Sequence, residues 1–379
     1  MMYTIIGAGI GGLTTALAFE RKGIEYQLYE KAAELNEVGA GIWLAPNALQ
    51  VLESLGVLEE IQANGNAIDR ITIGKPNLVP LSDSKQDEIH AKFGYTTVAI
   101  HRATLQKILF DKIPTEKIHL NKKFQSYKEL ETDKIKVVFE DGLSIETDFL
   151  IGADGINSKV RTQLFPNSKK RYSGQTCWRG VADIQLEEEN KHRGYELWGN
   201  QIRFGISQIA EEKVYWFAVA LAKENSKENR ATMKDDLLEK FANFHPLISK
   251  LINTTSLDKM IKSDINDLQP LDKWYHKNIC LLGDAGHATT PNMGQGGAQA
   301  IEDAFYLSNA IIEKNHVDSF KLFQKRRNKK VSAIVKQSWN TGKMAHWKYG
   351  QSFRNFVIQH MPKSIIEKKM IELYQLEKY

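Results

Sequence analysis

The chain opens on four apolar or β-favouring residues, Tyr3-Thr4-Ile5-Ile6, that run into Gly7, Gly9 and Gly12, after which Leu13, Ala16, Leu17 and Phe19 repeat at helical spacing. This predicts strand, tight turn and helix. A second strand over residues 26–29 ends at Glu30, and a helix over 48–55 ends at Gly56 in the manner of a C′ glycine. Between 68 and 99 the pattern changes to short β runs, 70–73 and 96–100, where the sheet of a second domain is expected to begin. A helix follows from His101 to about Phe110, then strands around 118–120 and 134–139, with Glu140-Asp141-Gly142 as a hairpin turn. Residues 149–155 read as an apolar strand ending in a turn. From 176 to 219 come four aromatic-rich strands, then a helical block over 234–250. Residues 278–284 form another apolar strand, followed by a glycine-rich stretch and a helix through Gln299, Ala300, Ile301, Ala304 and Phe305. The rest, 320–379, is amphipathic and helical, with Ile365, Ile366, Met370 and Leu373 at core spacing.

With 379 residues, 42% hydrophobic and 26% charged, the chain is expected to be a soluble globular protein of two domains, or one large domain carrying an insertion. Subtracting 46 acidic from 51 basic residues leaves +5, too small and too dispersed to point to nucleic acid. The one dense basic run, 325–330, is read as a solvated helix face near a helix C-terminus. Cys177 and Cys280 form no CxxC, which argues against a metal set or a redox disulfide. No basic n-region precedes the first apolar run and no stretch has membrane-spanning length, so a cytoplasmic location is expected. The C-terminal helices are expected to pack on the domain or a subunit rather than on a membrane, their polar face showing no overwhelming cationic bias.

Chemistry concentrates at three places. In the opening unit Gly7 permits the turn, Gly9 lets the backbone approach a pyrophosphate, and Gly12 lets helix pack on strand. The helix N-terminus then directs unpaired N–H groups at phosphate. Glu30 stands where an acid takes ribose hydroxyls, which predicts a dinucleotide without a 2′-phosphate. Arg102, at a helix start, either faces an anion or lies on the surface. Gly283-Asp284 ends a strand with a carboxylate able to accept from a polyol, and Gly294, Gly296 and Gly297 precede a helix whose N–H groups can meet negative charge. The loop from Gly39 to Asn47, carrying Trp43, has the composition of a ligand-facing segment, and the aromatic strands suit one wall of an apolar pocket.

Together these runs resemble the single-component flavoprotein aromatic hydroxylases, the p-hydroxybenzoate hydroxylase fold family, in the branch of salicylate hydroxylases, FAD-dependent urate hydroxylases and zeaxanthin epoxidases. The resemblance spans nearly the whole chain. It implies a Rossmann-like α/β FAD-binding domain with an inserted β-sheet substrate domain and C-terminal helices. The FAD-binding parts are expected at 1–70, 99–172 and 271–335, the substrate parts at 71–98 and 173–270, and the helices at 336–379. By resemblance Gly7, Gly9, Gly11, Gly12, Glu30 and Lys31 hold the ADP half of FAD, and the backbone at Phe124 touches adenine. Asp154, Gly155, Ser158 and Arg161 match the DG motif, which serves both FAD and NAD(P)H. Arg102 would lie near the flavin's phosphates and Asp284 on its ribityl chain, with Pro291, Asn292, Met293, Gly294, Gln295, Gly296, Gly297 and Ala298 forming the loop beneath the isoalloxazine.

The implied reaction uses NADH or NADPH and O2, through a flavin C4a-hydroperoxide, to hydroxylate a small aromatic or N-heteroaromatic substrate. Arg203 is expected to anchor a substrate anion or carbonyl and Tyr215 to hydrogen-bond it, while Trp43, Cys177, Trp178, Trp216, Pro291 and Met293 wall the pocket. Cys177 stands where that branch tends to carry an amide, which argues against urate itself. Other readings are an epoxidase or hydroxylase of a larger apolar or antibiotic molecule, and a non-catalytic flavin- or lipid-binding protein. The assembly is expected to be a monomer or a homodimer.

Overall fold

The structure, a computed structural model, describes residues 1–34, 40–314 and 316–377. Gly39, at the head of the predicted ligand-facing loop, and Tyr379, at the end of the predicted helical stretch, lie outside them.

Tyr3–Ile6 is buried along its whole length because it is the inner strand of a six-stranded, mainly parallel sheet. The strand order is Tyr275–His276, Ile279–Leu281, Phe149–Gly152, Tyr3–Ile6, Tyr26–Tyr29, Ile118–His119. Ile6 pairs with Gly152 on one side and Tyr29 on the other, and Gly152 pairs with Leu281. Four parallel strands therefore end at one level. The segments after them carry Gly7 to Gly12, Glu30, Asp154 and Gly283-Asp284. In open α/β sheets this carboxyl edge is where ligands bind.

A seven-stranded sheet holds, in order, Ile261–Leu268, Lys170–Ala182, Lys213–Leu221, Ile202–Ala210, Arg193–Trp198, Arg70–Gly74 and Pro80–Lys85. The expected first β run thus joins this sheet. The second does not: Thr97–His101 pairs with Gly41–Leu44 and Asn66–Ile68 in a small sheet lying between the two large ones.

The seven-stranded sheet has two unlike faces. One buries Trp178, Phe204, Ile206, Trp216 and Ala218 beneath the helices Met233–Lys240 and Pro246–Thr254, into which the predicted helical block divides. The other, by strand alternation, carries Cys177, Arg179, Arg203, Tyr215 and Phe217.

The basic run differs from expectation. It lies in the middle of the helix His316–Ala345, and Arg327 is 1% exposed within it. Arg326, Arg327 and Lys330 pair with acidic side chains of the neighbouring helix Gly296–Glu313, so tertiary pairing receives these three charges, while Lys325 and Lys329 face solvent as expected. Of the four apolar residues predicted as core in the last helix, Lys363–Tyr374, Met370 and Leu373 pack on Ala45 and Ile89, whereas Ile365 is exposed.

Candidate active site

The glycines of the opening turn are held there by contacts. Gly7 has φ +107°, and a Cβ on it would stand 2.6 Å from the Ala153 carbonyl oxygen; one on Gly12 would stand 1.8 Å from the Gly7 carbonyl oxygen. At Gly9 a Cβ would meet nothing within 4 Å. The backbone there borders open space, directly before a helix, Ile10–Arg21, that starts with no side-chain cap. Gly11 faces inward instead, against Leu282 and Ala300 at 3.1 and 3.2 Å, so the fingerprint helix seats on the segments of the third motif. The Glu30 carboxylate accepts from the Ala8 N–H at 2.7 Å and the Ala32 N–H at 2.9 Å, which sets the turn and still leaves lone pairs for ribose hydroxyls. Lys31 beside it is exposed. The Phe124 side chain is core, packed with Tyr29 and Phe139, so only its backbone is available to a ligand. Its segment joins the edge where the Lys122 N–H donates to the Glu30 carbonyl at 2.7 Å.

Asp154 uses one oxygen to accept from the Lys159 and Val160 N–H groups at 2.8 and 3.2 Å; the other, Oδ1, is buried with no partner. Burial pushes its carboxyl above the usual range. Ser158 caps the following helix at the Arg161 N–H, and Arg161 donates to the carbonyls of Ile156 at 2.7 Å and Ala285 at 3.1 Å, binding the second motif to the third.

Asp284 and Arg102 reach solvent yet are ringed by protein, as on the wall of a cleft. Burial raises the Asp284 pKa, opposed by His287 and Arg102, and burial lowers that of Arg102, opposed by Asp284. Of the two readings of Arg102, the anion-facing one has the geometry in its favour.

The helix Gly296–Glu313 also starts without a side-chain cap. Gly294 ahead of it has φ +63°, and Gly297 is approached so closely by Ile42 that a Cβ would stand 2.7 Å away. Gln295 turns inward, accepting from Asn47 Nδ2 at 3.1 Å and Gln299 Nε2 at 2.9 Å, and Ala298 is buried. Behind these residues lies a charge network that spacing alone did not reveal. Asp303 accepts from the Gly283 N–H at 2.9 Å, from His287 Nε2 at 2.6 Å and from Arg327 Nε at 2.7 Å. Arg327 also pairs with Glu302, which receives Lys330 at 2.9 Å. Burial alone would raise the Asp303 pKa, but His287 and Arg327 outweigh it and hold the carboxyl below the usual range.

The sheet face opposite this edge corrects several expectations. Trp178 and Trp216 alternate away from it and are core; Trp216 stacks on Phe204 and donates to Thr255 Oγ1 at 2.8 Å. Arg203 shares the face of Arg179 and Tyr215 but is already engaged. It is 1% exposed, pairs with Glu196 at 2.8 Å and donates to Asn292, so it ties the strand to the loop rather than offering a free anchor. Along the central strands the inner residues open to the cleft are Arg179, Tyr215 and Phe217. Arg179 Nη2 donates to Ser263 Oγ at 2.9 Å, and among the described residues no carboxylate pairs with it. In sequence it stands between Trp178 and Gly180 with no motif around it, and period-2 alternation is the signal that separates it from Trp178. Tyr215 lies against Gly41, where a Cβ would come within 2.5 Å of its ring, and burial pushes its phenol far up, leaving it neutral. Trp43 packs beside Tyr215 and donates to Ser207 Oγ at 2.9 Å. Cys177 is buried with Val219, Ile265 and Phe217 as an apolar strip next to Arg179. Pro291 is exposed and Met293 half-buried in the short turn Pro291–Met293.

Residues 2–337 match the FAD binding domain family. The chain is 36% identical over 346 residues to the aurachin C monooxygenase/isomerase of Stigmatella aurantiaca, covering 90% of this chain and 89% of that protein. It is 31% identical over 372 residues to the 2-heptyl-3-hydroxy-4(1H)-quinolone synthase of Pseudomonas aeruginosa, covering 96% and 94%. Klebsiella pneumoniae HpxO, solved with FAD and uric acid, superposes with a TM-score of 0.90 at 26% identity, over 99% of this chain and 96% of that one. The uncapped helix starts, the open space at Gly9, the orphaned Asp154 Oδ1 and the solvent-open Asp284 all suit such a nucleotide. The chain belongs to the FAD binding domain family and is an FAD-dependent monooxygenase of the p-hydroxybenzoate hydroxylase fold.

Proposed function

We propose that the protein uses NADH or NADPH and O2 to hydroxylate an N-heteroaromatic ring that carries a ring oxygen and an apolar substituent, of the 4-quinolone kind. Bound FAD, reduced by the nicotinamide nucleotide, supplies the activation of O2. The chain's own groups hold and orient. Backbone amides at Gly9, Gly11 and Gly12 receive the phosphates, Glu30 the ribose, Lys31 and the backbone at Phe124 the adenosine side, Arg102 and Asp154 the middle, and Asp284 the polyol. Amides of Gly296 and Gly297, framed by Gly294, Gln295 and Ala298, face the ring, where a helix start favours negative charge by about 0.3–2 kcal/mol. We read 71–98 and 173–270 as the substrate part and 1–70, 99–172 and 271–335 as the FAD part, with 336–379 as the C-terminal helices.

The observation that carries the substrate assignment is the asymmetry of the cleft wall. Arg179, without a carboxylate partner, and neutral Tyr215 offer hydrogen-bond donors to a ring oxygen. Half-buried Phe217 beside them, with Cys177, Val219 and Ile265 packed behind it, makes this part of the wall apolar, which suits a hydrocarbon substituent and keeps water from the reacting ring. The relatives at 36% and 31% identity support this choice, since the second is by name a synthase of an alkylated hydroxyquinolone. Small Cys177 leaves one polar contact fewer for a compact polar ring such as urate.

The test is nicotinamide oxidation by the flavin-loaded protein under O2, with 2-alkyl-4-quinolones and uric acid supplied separately. Quinolone-stimulated turnover with a product one oxygen atom heavier is expected. Hydroxylation of urate alone, or turnover that neither compound stimulates, overturns the substrate assignment.

A further inference from the structure

The helix Gln351–Gln359 buries Ile358 but leaves its bulkier apolar side chains outside. Phe353, Phe356 and Val357, at positions i, i+3 and i+4, are 66%, 57% and 42% exposed. Arg354, on the opposite side, is buried: its Nη1 donates to the Ala345 carbonyl at 2.9 Å and its guanidinium lies 5.2 Å from the Trp198 ring. A helix lying on a soluble core does the reverse. The exposed row continues through Tyr349 before the helix and Met361 and Ile365 after it, 78%, 40% and 46% exposed. Single exposed apolar residues are ordinary, but a contiguous row of this length marks a contact surface.

Charge identifies what covers it. Between residues 343 and 369 the exposed cations are Lys343, Lys348, Lys363, Lys368 and Lys369, against half-buried Glu367, five cations minus one anion, or +4. We propose that this face docks on an anionic lipid bilayer. The helix lies in the plane of the interface, with Phe353, Phe356 and Val357 at the acyl boundary and Lys348 and Lys363, exposed at either end, among the headgroup phosphates. Among the described residues no helix is long and apolar enough to cross a membrane, so the contact is peripheral. A second copy of the chain is the poorer occupant, because a two-fold contact sets each copy's +4 against the other's.

The docked helix is rooted on the substrate sheet. Ile358 and Ala345 pack with Leu81 and Trp198, and Trp198 pairs in register with Arg203. Bilayer contact therefore fixes the edge of the seven-stranded sheet at the membrane surface. The sequence expectation is that these helices pack on the domain or a subunit rather than on a membrane; the proposal departs from it for this face because the exposed charges are dispersed over the turns flanking the helix and the start of the next one.

The test uses the full chain loaded with FAD and sedimented with phosphatidylcholine vesicles, with and without phosphatidylglycerol, at physiological salt. Binding to the anionic vesicles is expected, and the double substitution Phe353→Ser with Phe356→Ser, which keeps every charge, should weaken it about tenfold or more while flavin occupancy stays intact. The proposal is overturned if the double variant binds as well as the parent, which would make the attraction purely electrostatic. It is equally overturned if the parent stays in the supernatant with the anionic vesicles, whether as a monomer or as a dimer that the double variant dissociates on gel filtration.

Discussion

Replacing Asp303 by alanine probes whether the buried charge network holds the third motif in place. The substitution removes the acceptor of the Gly283 N–H at 2.9 Å, of His287 at 2.6 Å and of Arg327 at 2.7 Å. Asp303 is 0% and Arg327 1% exposed, so water does not replace the lost partner. Breaking a buried ion pair from one side costs about 3–5 kcal/mol. Glu302 still pairs with Arg327 and absorbs part of the loss, which places the expectation at the lower end, about 3 kcal/mol. At about 2 °C per kcal/mol for a chain at the large end of the range, the midpoint of thermal unfolding should fall by about 6 °C. Urea unfolding of the flavin-free protein measures the stability term, and flavin titration of the refolded variant measures the second effect. Gly283, at φ +57°, loses the bond that fixes its N–H, so the carboxylate of Asp284 next to it loses its placement and flavin affinity drops as well. Stability changed by less than about 1 kcal/mol, a typical single neutral hydrogen bond, would refute the reasoning.

Four further outcomes follow from other parts of the molecule. Asp284→Ala should weaken FAD retention by ~1.5–3 kcal/mol, the worth of a hydrogen bond to a charged acceptor, read as the flavin-to-protein ratio after gel filtration. Arg179→Met should leave flavin occupancy unchanged and raise KM for a quinolone by about tenfold to a hundredfold, from the same ~1.5–3 kcal/mol, whereas Arg203→Met should lower stability first, since it removes the cation paired with Glu196 and the donor to Asn292 Oδ1. His346, 5% exposed and hydrogen-bonded to the Gly342 carbonyl, is pushed by burial and by Arg203 down to about 4. Because its folded pKa lies below the unfolded value of about 6.5, the unfolded chain binds more protons between the two. Its contribution is complete above about pH 6.5 and fades by about 3 kcal/mol as pH falls toward the folded value; His346→Gln should flatten that acid limb in urea titrations.

Much of the parallel sheet was legible because its strands combine apolar runs with glycine punctuation, and both signals are local. Gly7, Gly12 and Gly283 each satisfy a requirement visible in the order of residues alone, and the Phe149–Gly152 and Ile279–Leu281 strands announce their turns in the same way. The cleft wall was less legible for a definite reason. Cys177-Trp178-Arg179 and Tyr215-Trp216-Phe217 present aromatic and polar groups on consecutive positions, and assigning both Trp216 and Tyr215 to one pocket ignores the alternation that sends them to opposite faces. The burial of Arg327 was not legible because its partners, Asp303 and Glu302, lie on the preceding helix 24 and 25 residues back, a separation that no local spacing rule reads. Arg203 is the converse case: its place on the face was foreseen, but its charge is taken up by Glu196, seven residues earlier and across a hairpin.

A crystal structure of the FAD-loaded protein with a bound 2-alkyl-4-quinolone tests the central claim most directly. The account predicts the pyrophosphate at the start of Ile10–Arg21, the ribityl chain at Asp284, and the quinolone oxygen against Arg179 and Tyr215. A flavin lying away from the common edge of the Tyr3–Ile6, Phe149–Gly152 and Ile279–Leu281 strands, or a substrate seated on the opposite face of the seven-stranded sheet, would contradict it.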